Sequence, residues 1–193
     1  MLKEKLKHFK IILASGSPRR QQFFKDLDLD FEIRLKEIEE IYPENLEAEQ
    51  ITNYLSELKT AAFDGEIQEN EIIITSDTIV WHHKKALGKP KNYEDAFEIL
   101  KSLSGNTHEV ITSVSFKTIL KLDTIFDVTK VTLRPITDDE IHYYITNYHP
   151  FDKAGAYGIQ EWIGLVGISK IEGSYSNVVG LPTHKVYDFL NAL

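Results

Sequence analysis

The sequence predicts a mixed α/β fold. Three observations carry this: short β-branched runs alternate along the chain with segments of helical periodicity, a capped helix follows the first run, and 42% apolar content in 193 residues suffices for one substantial core. Ile11-Ile12-Leu13-Ala14 is the first strand, and Ser15-Gly16-Ser17 turns it into a helix. Ser17 is a favoured N-cap residue, and Pro18 suits the first turn because its missing N–H has no partner to lose there. Phe31, Ile33 and Leu35 alternate as a strand, and 37–47 reads as an acidic loop. Ile51, Tyr54, Leu55, Leu58, Ala61 and Ala62 recur at three- and four-residue spacing, which predicts an amphipathic helix over 47–63.

Ile72-Ile73-Ile74-Thr75 reads as a short buried strand ending at Ser76-Asp77-Thr78; Ile79, Val80 and Trp81 resume it, and 82–85 forms a hairpin tip. A helix over 93–103 takes Asn92 as its cap. Strands follow over 110–118 and 126–133, and Thr137 with Glu140 forms a capping box ahead of the next helix. Pro150-Phe151-Asp152-Lys153-Ala154-Gly155-Ala156-Tyr157-Gly158-Ile159-Gln160 has no periodicity and reads as a loop of the kind that carries function. A last strand over 165–171 and a helix over 183–190 complete the chain.

The net charge of −8 argues against a general nucleic-acid binder, which would present a basic field. No stretch has the apolar length of a signal peptide or membrane span, so a cytoplasmic protein is expected. The absence of cysteine removes disulfides, thiolate zinc sites and a cysteine nucleophile. Seven histidines show no zinc spacing, the His82-His83 pair reads as solvated, and no Gly-x-Ser-x-Gly elbow or Walker loop is present.

A cluster of cations and carboxylates near strand ends remains. The N-terminus of the first capped helix offers unpaired N–H groups and a positive dipole end, and Arg19 and Arg20 add forked guanidinium groups, so the segment fits an anion seat as well as it fits a capped surface helix. Asp77 is placed to hold a metal, to activate water, or to cap its strand. Glu40 in its acidic loop, Lys59 on the polar side of its helix and Lys89 between Gly88 and Pro90 are each ordinary solvated charges or members of the same constellation. Asp152, Lys153 and Gln160 share the glycine loop, where substrate contact and a loop-holding ion pair are equal readings.

Taken in order, Ser15-Gly16-Ser17-Pro18-Arg19-Arg20, Ile38-Glu39-Glu40, Lys59 with Ala61, Ser76-Asp77-Thr78-Ile79-Val80, Gly88-Lys89-Pro90, Leu103-Ser104-Gly105 and the 152–160 loop resemble the Maf family of nucleoside triphosphate pyrophosphatases nearly end to end. The resemblance implies one domain over 1–193, with a mixed central sheet flanked by helices and two lobes around a deep cleft, similar to inosine triphosphate pyrophosphatases. It implies that Asp77 is the catalytic proton acceptor and that Ser15, Ser17, Arg19 and Arg20 bind the phosphates. Lys59, Lys89 and Glu40 then complete the catalytic set, and Asp77 with Glu40 holds Mg2+ or Mn2+. Arginine, threonine and glutamine at Arg19, Thr78 and Gln160 resemble the branch acting on dTTP and UTP, with modified pyrimidines as further substrates, rather than the branch acting on 7-methyl-GTP; Asp152 and Lys153 join the substrate-binding set. Ser76 and Glu161-Trp162 depart from the family pattern and bear on the base pocket.

The expected partner is therefore a small nucleoside triphosphate, with no nucleic acid and no membrane. Trp162 and the Tyr143-Tyr144 pair are candidates for a homodimer face or a core edge. A non-catalytic nucleotide sensor that blocks septum formation is the alternative, and it has no need of Asp77, Glu40 and Lys89 together.

Overall fold

The computed structural model describes residues 2–193; Met1, at the head of the lysine-rich start, lies outside them. The helices are α1 (Leu2–Lys5), α2 (Pro18–Asp26), α3 (Glu49–Ala61), α4 (Tyr93–Leu103), α5 (Asp138–Tyr148), α6 (Trp162–Gly167), α7 (Tyr175–Val179) and α8 (Thr183–Asn191). The strands are β1 (Lys10–Leu13), β2 (Phe31–Ile33), β3 (Glu71–His82), β4 (Lys85–Leu87), β5 (Thr107–Lys117), β6 (Leu122–Leu133) and β7 (Ile168–Glu172). They form a mixed sheet in the order β2-β1-β3-β5-β6-β7, with β4 beside β3. Two compact units emerge, one from Met1–Asp77, Thr112–Asp127 and Gly180–Leu193, the other from Thr78–Ile111 and Val128–Val179.

In the first unit β1 lies parallel to both β2 and β3, with Ile11 opposite Ile72, Ile12 opposite Ile73 and Leu13 opposite Ile74. Side chains alternate across a strand, so this register sorts them onto two faces. Ile11, Leu13, Ile72 and Ile74 pack with Val114 and Phe116 of β5 against Leu2, Phe24, Val186 and Leu190 from α1, α2 and α8. Ile12 and Ile73 face the other way, onto Phe63 just beyond α3. On that second side Thr52 and Ser56 of α3 bond the hydroxyls of Ser113 and Ser115 at 2.6 and 2.8 Å, so buried polar groups are paired. At the other end of β3, Arg34 clamps the buried Glu71 carboxylate through both nitrogens, 3.1 and 2.7 Å, and holds it below the usual carboxylate range.

The second unit keeps its expected caps. Asn92 Oδ1 accepts from Asp95 N–H at 2.8 Å, and Thr137 and Glu140 close the capping box reciprocally. The β3–β4 hairpin turns at His83 and Lys84, both at positive φ, 47° and 61°, the geometry a tight two-residue turn needs.

Several expectations are corrected. β3 does not break at Ser76-Asp77-Thr78 but runs unbroken from Glu71 to His82, because its partner changes while its backbone stays extended: β1 pairs it through Ile74 and β4 from Val80 onward. The strand expected over 165–171 is helix α6 followed by β7; a helical turn buries Ile163 and Gly167 together and leaves Leu165 outside at 80% exposure, a pattern alternation would not give. α7 has no counterpart in the sequence reading. Tyr144 is a fully buried core residue, and only Tyr143 of that pair is exposed, its ring edge-on to Trp162. His82 is buried, with Nε2 at 3.1 Å from the Ser102 carbonyl, while His83 alone is solvated. No helix among the described residues is long and apolar enough to cross a membrane.

Beneath the glycine loop, buried His108 meets the Tyr157 hydroxyl at 2.7 Å. Burial, and secondarily the nearby His82, push the His108 imidazole down to about 4 from 6.5. The unfolded chain thus takes up this proton near 6.5 and the folded chain only near 4. The contribution is complete above 6.5 and is lost as pH falls toward 4, by at most about 3 kcal/mol. Urea midpoints at pH 7.5 and 4.5 should fall more in the unaltered chain than in His108→Asn; equal declines would refute the assignment.

Candidate active site

The end of β1 passes into a tightly bonded turn. Ser17 N–H donates to Ser15 Oγ at 3.3 Å, Gln21 Nε2 donates to the Ser15 carbonyl at 3.2 Å, and Ser17 Oγ accepts the Arg20 N–H at 3.5 Å. With Pro18 at its start, α2 has its N-terminus fixed over this turn, and Arg19 and Arg20 sit in its first turn. Arg20 reaches the neighbouring strand: Nη1 donates to the Ser76 carbonyl and Nε to the Gly180 carbonyl, each at 2.9 Å. These two bonds place the guanidinium beside Asp77. Burial lowers its pKa, and the charge of Asp77 is the main opposing influence, with Glu40 acting the same way and Arg19 against it.

Lys59 arrives from α3, one helical face away from the solvent its side chain would ordinarily seek. Its Nζ lies 2.7 Å from Asp77 Oδ1 and 3.0 Å from Glu40 Oε1, and its side chain is only 18% exposed. One ammonium therefore joins a carboxylate of the buried strand to a carboxylate of the acidic loop. Ser15, Ser17, Arg19, Arg20, Glu40, Lys59 and Asp77 all belong to the first unit.

Thr78, Lys89, Asp152, Lys153 and Gln160 belong to the second. There Gly155 N–H donates to the Gly88 carbonyl at 3.1 Å, which joins the turn carrying exposed Lys89 to the glycine loop. Lys153 pairs with Asp152 at 2.6 Å and with Glu161 at 3.0 Å, and Gln160 is exposed. The loop is two tight turns with Gly155 at φ 70°.

Among the described residues no group of three or more histidines, aspartates or glutamates is placed to hold a metal ion. Asp77 and Glu40 supply hard oxygen donors around one shared cation, a set that fits a divalent ion held by one or two carboxylates and otherwise by phosphate oxygens and water. Sequence reasoning missed Gly180, Tyr144 and Glu161. A backbone acceptor 160 positions from Arg20 leaves no trace in composition, and Glu161 stood out only as a departure from a pattern.

The model for Maf-like proteins matches residues 10–193. The chain belongs to the Maf family. This Maf protein is 68% identical over 193 residues to a dTTP/UTP pyrophosphatase of Flavobacterium johnsoniae, with all of both chains covered. It is 54% identical over 193 residues to one of Christiangramia forsetii, covering 100% of this chain and 98% of the relative, and 47% identical over 189 residues to one of Bacteroides fragilis, covering 97% and 98%. Among solved structures the Staphylococcus aureus Ham1 protein shares the fold at a TM-score of 0.51 and 16% identity, over 95% of this Maf chain and 98% of that one.

Proposed function

We propose that this Maf protein is a dTTP/UTP pyrophosphatase, hydrolysing the nucleotide to its monophosphate and pyrophosphate by attack of water on the α-phosphorus, and that it clears unwanted nucleotides in the cytoplasm. The observation that carries the reading is the Lys59 bridge between Asp77 and Glu40, with Arg20 anchored to Ser76 beside it. A non-catalytic sensor has no use for a carboxylate so placed, and identity of 68% to a named dTTP/UTP pyrophosphatase across the whole length supports the enzyme.

Asp77, with Oδ1 engaged by Lys59, takes the proton of the attacking water on its other oxygen. Lys59 keeps that carboxylate oriented, and the Ser15–Ser17 turn, the α2 N-terminus and Arg19 receive phosphate oxygens through N–H groups and a forked cation. Arg20 gives charge while its bonds to two backbone carbonyls keep it in place. Lys89 adds a further cation, Thr78 and Gln160 contact the base, and Asp152 and Lys153 shape the loop that carries Gln160. Asp77 and Glu40 would hold Mg2+ or Mn2+, which when bound neutralises phosphate charge. Residues 1–193 are taken as one domain, and exposed Tyr143 against Trp162 is the candidate homodimer face.

A nucleotide panel with Mg2+ or Mn2+ tests the reading: dTTP, UTP, CTP, dATP and 7-methyl-GTP, each followed for monophosphate and pyrophosphate. Pyrophosphate released fastest from dTTP and UTP is expected. Release of orthophosphate and a diphosphate, or no turnover of any nucleotide, overturns it.

A further inference from the structure

The second unit holds a polar group that no step above uses. Tyr144, buried on α5, donates its hydroxyl proton to Glu161 Oε2 and accepts the Gly158 N–H at 2.9 Å. Glu161 Oε1 meets Lys153 Nζ at 3.0 Å, and Glu161 N–H donates to the Gly158 carbonyl at 3.0 Å. Residues 158–161 thus form a closed turn with Gln160 near its tip, and both ends of that turn bond the same tyrosine hydroxyl. Space is tight beneath it: a Cβ on Gly158 would stand 2.9 Å from Glu161 Cδ and 3.0 Å from Lys153 Cε. Just upstream, buried Ala156 is held at φ 57°, a strained backbone that persists only where the surroundings dictate it. Burial, then the Glu161 hydrogen bond, raise the pKa of Tyr144, so it remains a proton donor.

We propose that Tyr144 and Glu161 are positioning residues for base selectivity, fixing the turn from which Gln160 reaches the pyrimidine. The proposal rests on the reading of Gln160 as a base contact. Neither side chain touches substrate; both act through the backbone on either side of Gln160. A lone hydroxyl bonded to both ends of a turn sets the direction of its tip, and a carboxylate shared with Lys153 ties that tip to the rest of the loop.

The test uses the full chain with dTTP and CTP, comparing Tyr144→Phe, Glu161→Gln and Gln160→Ala. Tyr144→Phe removes one oxygen from a buried ring and should raise KM for dTTP about tenfold while kcat stays within about twofold. The ratio of kcat/KM for dTTP over CTP should fall in parallel, and Glu161→Gln should move it the same way. A structural role alone would lower both nucleotides equally and leave the ratio fixed. Should Gln160→Ala change the ratio while both other variants keep it, the positioning role is wrong. Should Gln160→Ala itself keep the ratio, the base contact is wrong and the positioning role falls with it. If Glu161→Gln does not fold, Tyr144→Phe decides alone.

Discussion

Asp77→Asn should reduce kcat/KM for dTTP by about a thousandfold or more, the range a positioned general base supplies. The amide has the shape of the carboxylate and can still accept from Lys59, so the strand and its neighbours should be undisturbed. What disappears is the proton acceptor and half of the negative charge that Lys59 bridges. Because the loss falls on the chemical step, it should appear in kcat, and the thermal midpoint should move by only a few degrees. Near-normal pyrophosphate release from a variant that folds normally would end the assignment of Asp77 as base.

Gly155→Ala should cost the largest amount of stability of any single methyl group added to the glycine loop's backbone turn. Two effects add. At φ 70° the backbone is in the left-handed region, which costs a residue with a side chain about 1–2 kcal/mol. The new Cβ would also stand 2.5 Å from Val80 Cγ2 and 3.0 Å from Val80 Cβ, in the interior of β3, where overpacking costs about 1–3 kcal/mol. Together these predict a loss of about 2–5 kcal/mol and a thermal midpoint lower by about 4–20 °C. Thermal unfolding of Gly155→Ala, of Val80→Ala and of the two combined separates the terms, since the shortest contact, to Val80 Cγ2, is removed by Val80→Ala while the left-handed backbone stays. An unchanged midpoint in the single variant would show that the loop relaxes away from Val80.

The helix starts were the most legible part of the chain, because Ser17, Asn92 and Thr137 with Glu140 act on N–H groups within three residues of themselves. The strand over 110–118 was likewise legible, and the structure sorts its residues: Val114 and Phe116 join an apolar cluster while Ser113 and Ser115 bond hydroxyls of α3. What failed to show depends on partners far away. Asp77 looked like a strand end because its polar neighbours interrupt an apolar run, yet the backbone stays extended when the adjoining strand changes. Trp162–Gly167 is apolar throughout, so no local pattern could choose helix over strand; burial of Ile163 and Gly167 decided it. The burial of His82 and the partial burial of Lys59 were hidden for the same reason: each polar side chain looks solvated until a distant carbonyl or carboxylate comes within reach.

The Arg20 bond to the Gly180 carbonyl spans 160 positions, and Leu181, Val186 and Leu190 fill the same core as Ile11 and Ile72. During translation those residues arrive after Arg20, Glu40, Lys59 and Asp77 have already been made. A product truncated before Gly180 would keep those four groups without the carbonyl that anchors Arg20 and without the residues that complete the core beneath them.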